Sequence, residues 1–418
     1  MDLLLQRKYP GQLVIQLTDH CNACCPQCGM SIAHSYKRSK LKSDDVRRTL
    51  DAAAKKGIKV VSFTGGEPLL MVDDLTMFMK YAGEAGIDYI RTGTNGFMFM
   101  NHKKYGFSSR IHRIAEKLAE TPLRNFWISI DSAVPSVHEA MRGFPGVIEG
   151  IHKALPILHR HGIYPTANAF VNRKVGGEET ALPIIHQHDQ ERLGVFYDRY
   201  RKALDDLFRF VVELGFTMVS TCYPMSVDHS EDPMDLKPIY GATSNESLVR
   251  FSQYEKALLF KALLENITEW RSRIRAFSSY SSLYALHKQY LNGVDNTAYP
   301  CRGGIDFFFI DAKDGCTYPC GYRGKENLGK FWNLNPDVLD RGSPCHRCDW
   351  ECFRDPSELF GPLIEAMRAP LSLARRLQKN KDYLAGWAED LLYYSACSFF
   401  DGRRPPDYHQ LRRFRKHS

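Results

Sequence analysis

Cys21, Cys25 and Cys28 stand together in the stretch Thr18-Asp19-His20-Cys21-Asn22-Ala23-Cys24-Cys25-Pro26-Gln27-Cys28. Three thiolates on one short loop can hold three corners of a four-iron cluster. The fourth iron then stays open to a non-protein ligand, whereas a closed structural site wants a fourth protein ligand nearby. Cys24 complicates this reading, because Cys21-x2-Cys24 is half of a zinc site, with His20 and His34 the nearest further ligands; zinc stays a competing occupant. A second group, Cys301, Cys316, Cys320, Cys345, Cys348 and Cys352, brings ten of the twelve cysteines into two clusters. In a reducing compartment such clusters mean metal rather than disulfides. The isolated Cys222 and Cys397 read as small buried apolar residues.

The elements around these cysteines alternate. Short β-branched or aromatic runs at Leu13–Leu17, Val60–Phe63, Tyr89–Thr92, Phe126–Ile130, Pro165–Val171 and Thr217–Thr221 predict strands. Helical patterns at Ser43–Lys56, Asp74–Ala85, Ile111–Glu120, Val147–His161 and Asp205–Leu214 separate or close them. Alternation at this spacing predicts an α/β fold with a parallel sheet and crossover helices, six units suiting a partial barrel better than a complete one. Lys174–Tyr200, with Gly176 and Gly177, and Pro224–Asn245 read as loops. Helices follow near Glu246–Trp270 and Ile274–Leu291, short strands at Asp306–Asp311 and Thr317–Tyr318, and helices again over Ser357–Phe400. These patterns divide the chain into a barrel (1–222), a helical linker (223–300), a cysteine-rich unit (301–356) and C-terminal helices with a basic tail (357–418).

The formal charge of +8 is mild for 418 residues, and much of it falls in Arg403–Lys416, which reads as a solvated tail. No apolar run reaches the length of a membrane span, and Arg7 and Lys8 end the first segment too soon for a secretory signal, so a cytoplasmic protein is expected.

The cysteine loop, placed straight after a first strand, resembles the signature of the radical S-adenosylmethionine (radical SAM) superfamily. Thr64-Gly65-Gly66-Glu67-Pro68, after the second strand, resembles that family's Gly-Gly-Glu-Pro motif, which implies contact with the amino group of the cofactor's methionine moiety. Adjacent glycines let backbone approach a ligand closely; a plain strand-to-helix turn is the other reading. Thr94-Asn95-Gly96 and Ser129-Ile130-Asp131-Ser132 resemble further family turns. They imply that Asn95 reaches the ribose or the substrate and that Ser129 and Asp131 lie by the ribose, against capping as the alternative. Arg142-Gly143 has a family counterpart too, and Arg142 is expected either to pair with the methionine carboxylate or to lie on the surface. The resemblance implies a partial (β/α)6 barrel of the TIM type, S-adenosylmethionine as cofactor and a catalytic 4Fe-4S cluster on Cys21, Cys25 and Cys28. It further implies a 5′-deoxyadenosyl radical that abstracts hydrogen from a substrate.

Cys301-x13-Gly315-x4-Cys320 followed by Cys345-x2-Cys348 resembles the C-terminal SPASM or shorter twitch extension. The pattern departs from the full SPASM form at Arg354, where a further cysteine belongs. One auxiliary cluster on Cys301, Cys320, Cys345 and Cys348 is therefore expected, with Cys316 and Cys352 in reserve and zinc as competitor. An auxiliary cluster favours oxidative chemistry on a peptide or small molecule, with a flavodoxin or ferredoxin as reductant. The early first strand argues against a preceding peptide-recognition or cobalamin segment, and Gly321 after Cys320 argues against sulfatase maturation. A lipid substrate, suggested by Arg368, Arg375 and Arg376 among apolar residues, is less favoured than packing on the barrel. Tyr223, Asp228 and His229 are candidate substrate-facing residues. A zinc-stabilised protein binding nucleic acid through its basic tail is the rival of another class.

Overall fold

A computed structural model describes residues 11–29, 38–186, 188–225, 236–237, 239, 247–293, 298–335 and 345–415. His34, Asp228, His229 and Lys416 lie outside the described residues. One nine-stranded sheet organises the chain, in the order β7-β6-β5-β4-β3-β2-β1-β8-β9. Its strands are β1 (Gly11–Thr18), β2 (Ile58–Gly65), β3 (Tyr89–Thr94), β4 (Leu123–Ile130) and β5 (Thr166–Phe170), then β6 (Met218–Cys222), β7 (Arg275–Ala276), β8 (Phe307–Ile310) and β9 (Thr317–Tyr318). All neighbours are parallel except β8 and β9. Crossover helices α1 (Ser43–Lys55), α2 (Val72–Glu84), α3 (Phe107–Ala119), α4 (Pro135–Arg142), α5 (Val147–Arg160) and α6 (Gln190–Leu214) join the first six strands. This is the expected partial barrel.

Two expectations shift. The sheet crosses the boundaries drawn at 222 and 300, because β7 pairs with β6 and β8 pairs with β1. The linker contributes one strand, β7, and the cysteine-rich unit two, β8 and β9, to the barrel's own sheet. The stretch read as a loop up to Tyr200 instead becomes helix from Gln190 onward, where the Asp189 carboxylate caps the backbone N–H of Arg192 at 3.0 Å.

Strand pleating sorts the side chains. Alternate residues point to opposite faces, so Ser62, Arg91, Asn125, Trp127, Thr166 and Asn168 turn into the barrel lumen. Val61, Ile90, Phe126, Ile128 and Ala167, between them, pack outward in the core shared with the helices. A polar lumen inside an apolar shell follows from that parity.

The C-terminal part wraps the barrel. It comprises α7 (Gln253–Trp270), α8 (Tyr280–Asn292), α9 (Glu351–Arg368), α10 (Pro370–Lys379), α11 (Lys381–Ala396) and α12 (Tyr408–Leu411). The basic tail is not simply solvated. Gly402 donates from its N–H to Arg124 O and accepts from Tyr164 N, Arg403 Nη2 donates to Ala119 O, and Phe400 O accepts from the Tyr89 hydroxyl. Residues 400–403 thus lie across the starts of β3, β4 and β5, under the barrel. Arg376, one of the candidate interfacial arginines, pairs with Glu365 at 3.0 Å and stacks over Tyr299. No helix among the described residues is long and apolar enough to cross a membrane.

Asp390 on α11 ties this shell together. Fully buried, it accepts from Tyr280 N at 2.9 Å and from Ser281 N and Oγ, each at 2.8 Å, at the start of α8, and it pairs with buried Arg271. Asp390→Ala leaves the buried Arg271 guanidinium with only the longer pair to half-exposed Glu389 at 3.7 Å and is expected to lower unfolding stability by about 3–5 kcal/mol, read as a fall in the urea midpoint. A shift within error means the pair contributes nothing.

Candidate active site

A cavity of about 220 Å³ opens where the strands end. Cys21, Cys25 and Cys28 line one side, followed by Gly65, Gly66, Glu67 and Pro68, then Asn95, Ser129 and Arg142. Trp350, Glu351 and Cys352, at the start of α9, close it from the opposite side together with Tyr223 and Met225. Strands β1 to β4 are parallel and end at one edge, so turns distant in sequence converge there.

Local packing explains the loop's position. The Thr18 hydroxyl accepts from His20 N at 3.1 Å and donates to Ser39 O at 3.0 Å, and buried Asp19 accepts from Ser39 N. A Cβ on Gly65 would lie 2.2 Å from Thr18 O, and one on Gly66 would lie 2.1 Å from His20 O. The paired glycines therefore let the end of β2 press against the cysteine loop's own backbone, through Gly66 N to Thr18 O (2.8 Å) and Glu67 N to His20 O (2.9 Å).

Glu67 and Asn95 act as braces. Glu67, wholly buried, accepts from Leu69 N at 3.0 Å and Asn95 N at 2.6 Å, joining the β2 and β3 turns. Burial pushes its carboxyl up to about 7. The Asn95 amide donates to Asn22 Oδ1 at 2.9 Å and to Cys21 Sγ at 3.6 Å, while its Oδ1 accepts from Phe97 N. Asn95 thus faces the cysteine loop, with its amide already engaged.

Asp131 and Arg142 meet each other. Arg142 Nε and Nη2 donate to the two Asp131 oxygens at 2.6 and 2.7 Å, a bidentate pair, and Asp131 is fully buried beside His138. Burial would raise the Asp131 carboxyl, but Arg142 and His138 hold it well below the ordinary range. Asp131 itself does not line the cavity, whereas Ser129 and Arg142 do. Burial pushes the Cys25 thiol up to about 12, and the Arg142 charge works against that rise. A cation beside these sulfurs favours thiolates, the form that binds metal.

The second cysteine group divides. Cys301, Cys320, Cys345 and Cys348 line one small hollow with Arg323, Trp350 and Phe353. Cys316 sits apart at the Asp314 turn, with its Sγ 3.8 Å from Asp314 O, and Cys352 faces the main cavity. Backbone N–H groups of Gly303 and Tyr322 point at the sulfurs of Cys301 and Cys320, each at 3.4 Å. Hydrogen bonds of this kind tune cluster sulfurs. Burial raises the Cys301 and Cys320 thiols to about 11 and 12, so a bound cation must draw off their protons. Trp350 lines both the hollow and the cavity.

Among the described residues, only His112, Glu116 and His161 bring three ligand atoms within 4.8 Å of one another. No three cysteine sulfurs among the described residues lie that close together. The His112 group lies on α3 and at the end of α5, outside the barrel; two of its ring nitrogens, 2.9 Å apart, are hydrogen-bonded to each other.

Known proteins agree with this geometry. Residues 15–180 match the Radical SAM superfamily. Over 359 residues the chain is 26% identical to the AdoMet-dependent heme synthase of Methanosarcina barkeri, covering 84% of this chain and 87% of that protein. It is 30% identical over 149 residues to a probable GTP 3′,8-cyclase of Thermococcus kodakarensis, covering 35% of this chain and 44% of that one. The structure of Streptococcus suis SuiB bound to precursor peptide SuiA shares the fold, with a TM-score of 0.51 at 17% identity over 81% of this chain and 67% of that one. The matched segment spans β1 to β5 with the cysteine loop and the Gly65–Pro68 turn, and in fold and site it is similar to a radical SAM barrel enzyme.

The sequence pointed to neither Glu351 nor the lumen residue Arg91. A charged residue at the inward parity of a strand, between Tyr89 and Gly93, is the signal that marks Arg91.

The Asp131 carboxylate, depressed from 3.8, contributes stability that is complete above that pH and is lost as pH falls toward its folded-state value. Asp131→Asn is expected to flatten the acid limb of unfolding free energy against pH. An unchanged limb assigns that dependence to other carboxylates.

Proposed function

We propose that this enzyme carries out hydrogen abstraction, with oxidative outcome, on a peptide or small molecule held in the barrel lumen. The observation that carries the reading is the single cavity joining the cysteine loop and the Gly65–Pro68 turn to the cap formed by Glu351 and Cys352. Cys21, Cys25 and Cys28 hold the catalytic cluster at three corners. Bound there, the cluster and S-adenosylmethionine supply reductive sulfur–carbon cleavage and a 5′-deoxyadenosyl radical that takes a hydrogen atom from the substrate.

The chain's own residues position and shield. The Gly65-Gly66-Glu67-Pro68 turn receives the methionine amine, and Arg142, held by Asp131, turns its remaining N–H edge toward the methionine carboxylate. Ser129 sits at the ribose. Asn95 keeps Cys21 in place, and Trp350, Tyr223 and Met225 keep water out of the mouth. Cys301, Cys320, Cys345 and Cys348 hold an auxiliary cluster one indole away from the substrate, a route by which an electron leaves the substrate radical. A flavodoxin or ferredoxin supplies the initiating electron.

Two variants test this reading after anaerobic reconstitution. Cys25→Ala is expected to abolish formation of 5′-deoxyadenosine while keeping the second cluster. Cys348→Ala is expected to spare uncoupled cleavage and lower iron content. Unchanged cleavage in the first variant refutes the catalytic assignment, and unchanged iron in the second refutes the auxiliary ligand set.

A further inference from the structure

Arg91 projects into the lumen from β3, four residues before the Asn95 turn and therefore roughly 13 Å deeper along the strand. It lies level with Ser62 on β2 and Asn125 on β4 in the strand register. Its guanidinium stands 5.2 Å from the Trp127 ring centroid and 5.6 Å from that of Phe277. A Cβ on Gly93 would sit 2.1 Å from the Trp127 indole nitrogen, so glycine there is what allows the ring to lie across β3. Arg91 makes no ion pair or hydrogen bond with any described residue, and its Nε is buried without a partner. The hydroxyl of Ser62, its register neighbour, is likewise buried without a partner.

Arg91 is half-buried and its charge reaches the Glu351 carboxylate across the same cavity, but a buried guanidinium N–H without an acceptor is costly, and so is a buried hydroxyl without one. Both groups line the cavity, so a ligand can satisfy both at once. We propose that Arg91 and Ser62 form a receptor for a carboxylate of the substrate at the base of the lumen. One guanidinium offers two parallel N–H donors that match a planar carboxylate, and the serine adds a third donor. The rings of Trp127 and Phe277 lie beside the guanidinium, and no described residue takes a hydrogen bond from its Nε. Arg91 has neutral neighbours in Asn125 and Thr166 and one carboxylate, Glu351, within electrostatic reach, so a singly charged anion fits better than a phosphate dianion.

This inference deepens the proposed function by naming a substrate class, and it rests on that reading only in taking the lumen as the substrate's place. The test uses the reconstituted enzyme with S-adenosylmethionine, titrated calorimetrically with monocarboxylates from acetate to 3-phenylpropionate and with their neutral amides. At least one acid is expected to bind about tenfold more tightly than its amide. Arg91→Gln is expected to erase the difference, Arg91→Lys to keep part of it, and Ser62→Ala to reduce it about fivefold. Equal binding of acids and amides, or a preference that survives Arg91→Gln, overturns the proposal. Should Arg91→Gln not fold, judged by cluster absorbance and thermal unfolding, the wild-type comparison and Ser62→Ala decide. Formation of 5′-deoxyadenosine in the same preparations is scored separately. Its absence sinks the radical reading and leaves the carboxylate preference to be judged by binding.

Discussion

Parallel strands with a strict inside–outside alternation are the constraint on which everything else rests. Each strand from β2 to β6 must present apolar residues to the helices, and whatever lies between them must face the lumen. A shift of one residue in register would send Arg91 into the apolar shell and Ile90 into the lumen. The same order fixes the ends, so that the cysteine loop, the Gly65–Pro68 turn and Asn95 converge although up to 74 positions separate Cys21 from Asn95.

Charge is then placed where burial would otherwise forbid it. The thiols of Cys25, Cys301 and Cys320 are all raised by desolvation, so an empty site favours protonated sulfur and ligation must overcome that preference. Arg142 eases the first group, and its geometry is secured by a carboxylate that faces away from the cavity. Asp131 is thus a positioning residue, tied to the cavity wall through its partner Arg142. Glu67 plays a comparable part, using both oxygens to join two turns.

The sequence made most of the barrel legible because short β-branched and aromatic runs alternate with helical patterns, and all of the first six strands fall within three residues of their expected starts. The start of α6 was hidden because its first turns are polar, exposed and interrupted by Gly194. The four sulfurs of the second hollow were legible from spacing, whereas the separation of Cys352 from them depends on α9 turning that residue toward the barrel. Neither Arg91 nor Ser62 could be read as a pair, since they lie 29 positions apart in sequence and meet only through the β2–β3 register. The basic run near the C-terminus misled for a related reason: backbone groups of Gly402, which carry no compositional signal, hold it in place.

That last contact has a consequence for assembly. Phe400 meets Tyr89 across 311 positions of chain, and Gly402 bonds to Arg124 and Tyr164 on the same side of the sheet. The underside of the strands is therefore fastened by a long-range closure, whose loop entropy is repaid only once the C-terminal shell has docked.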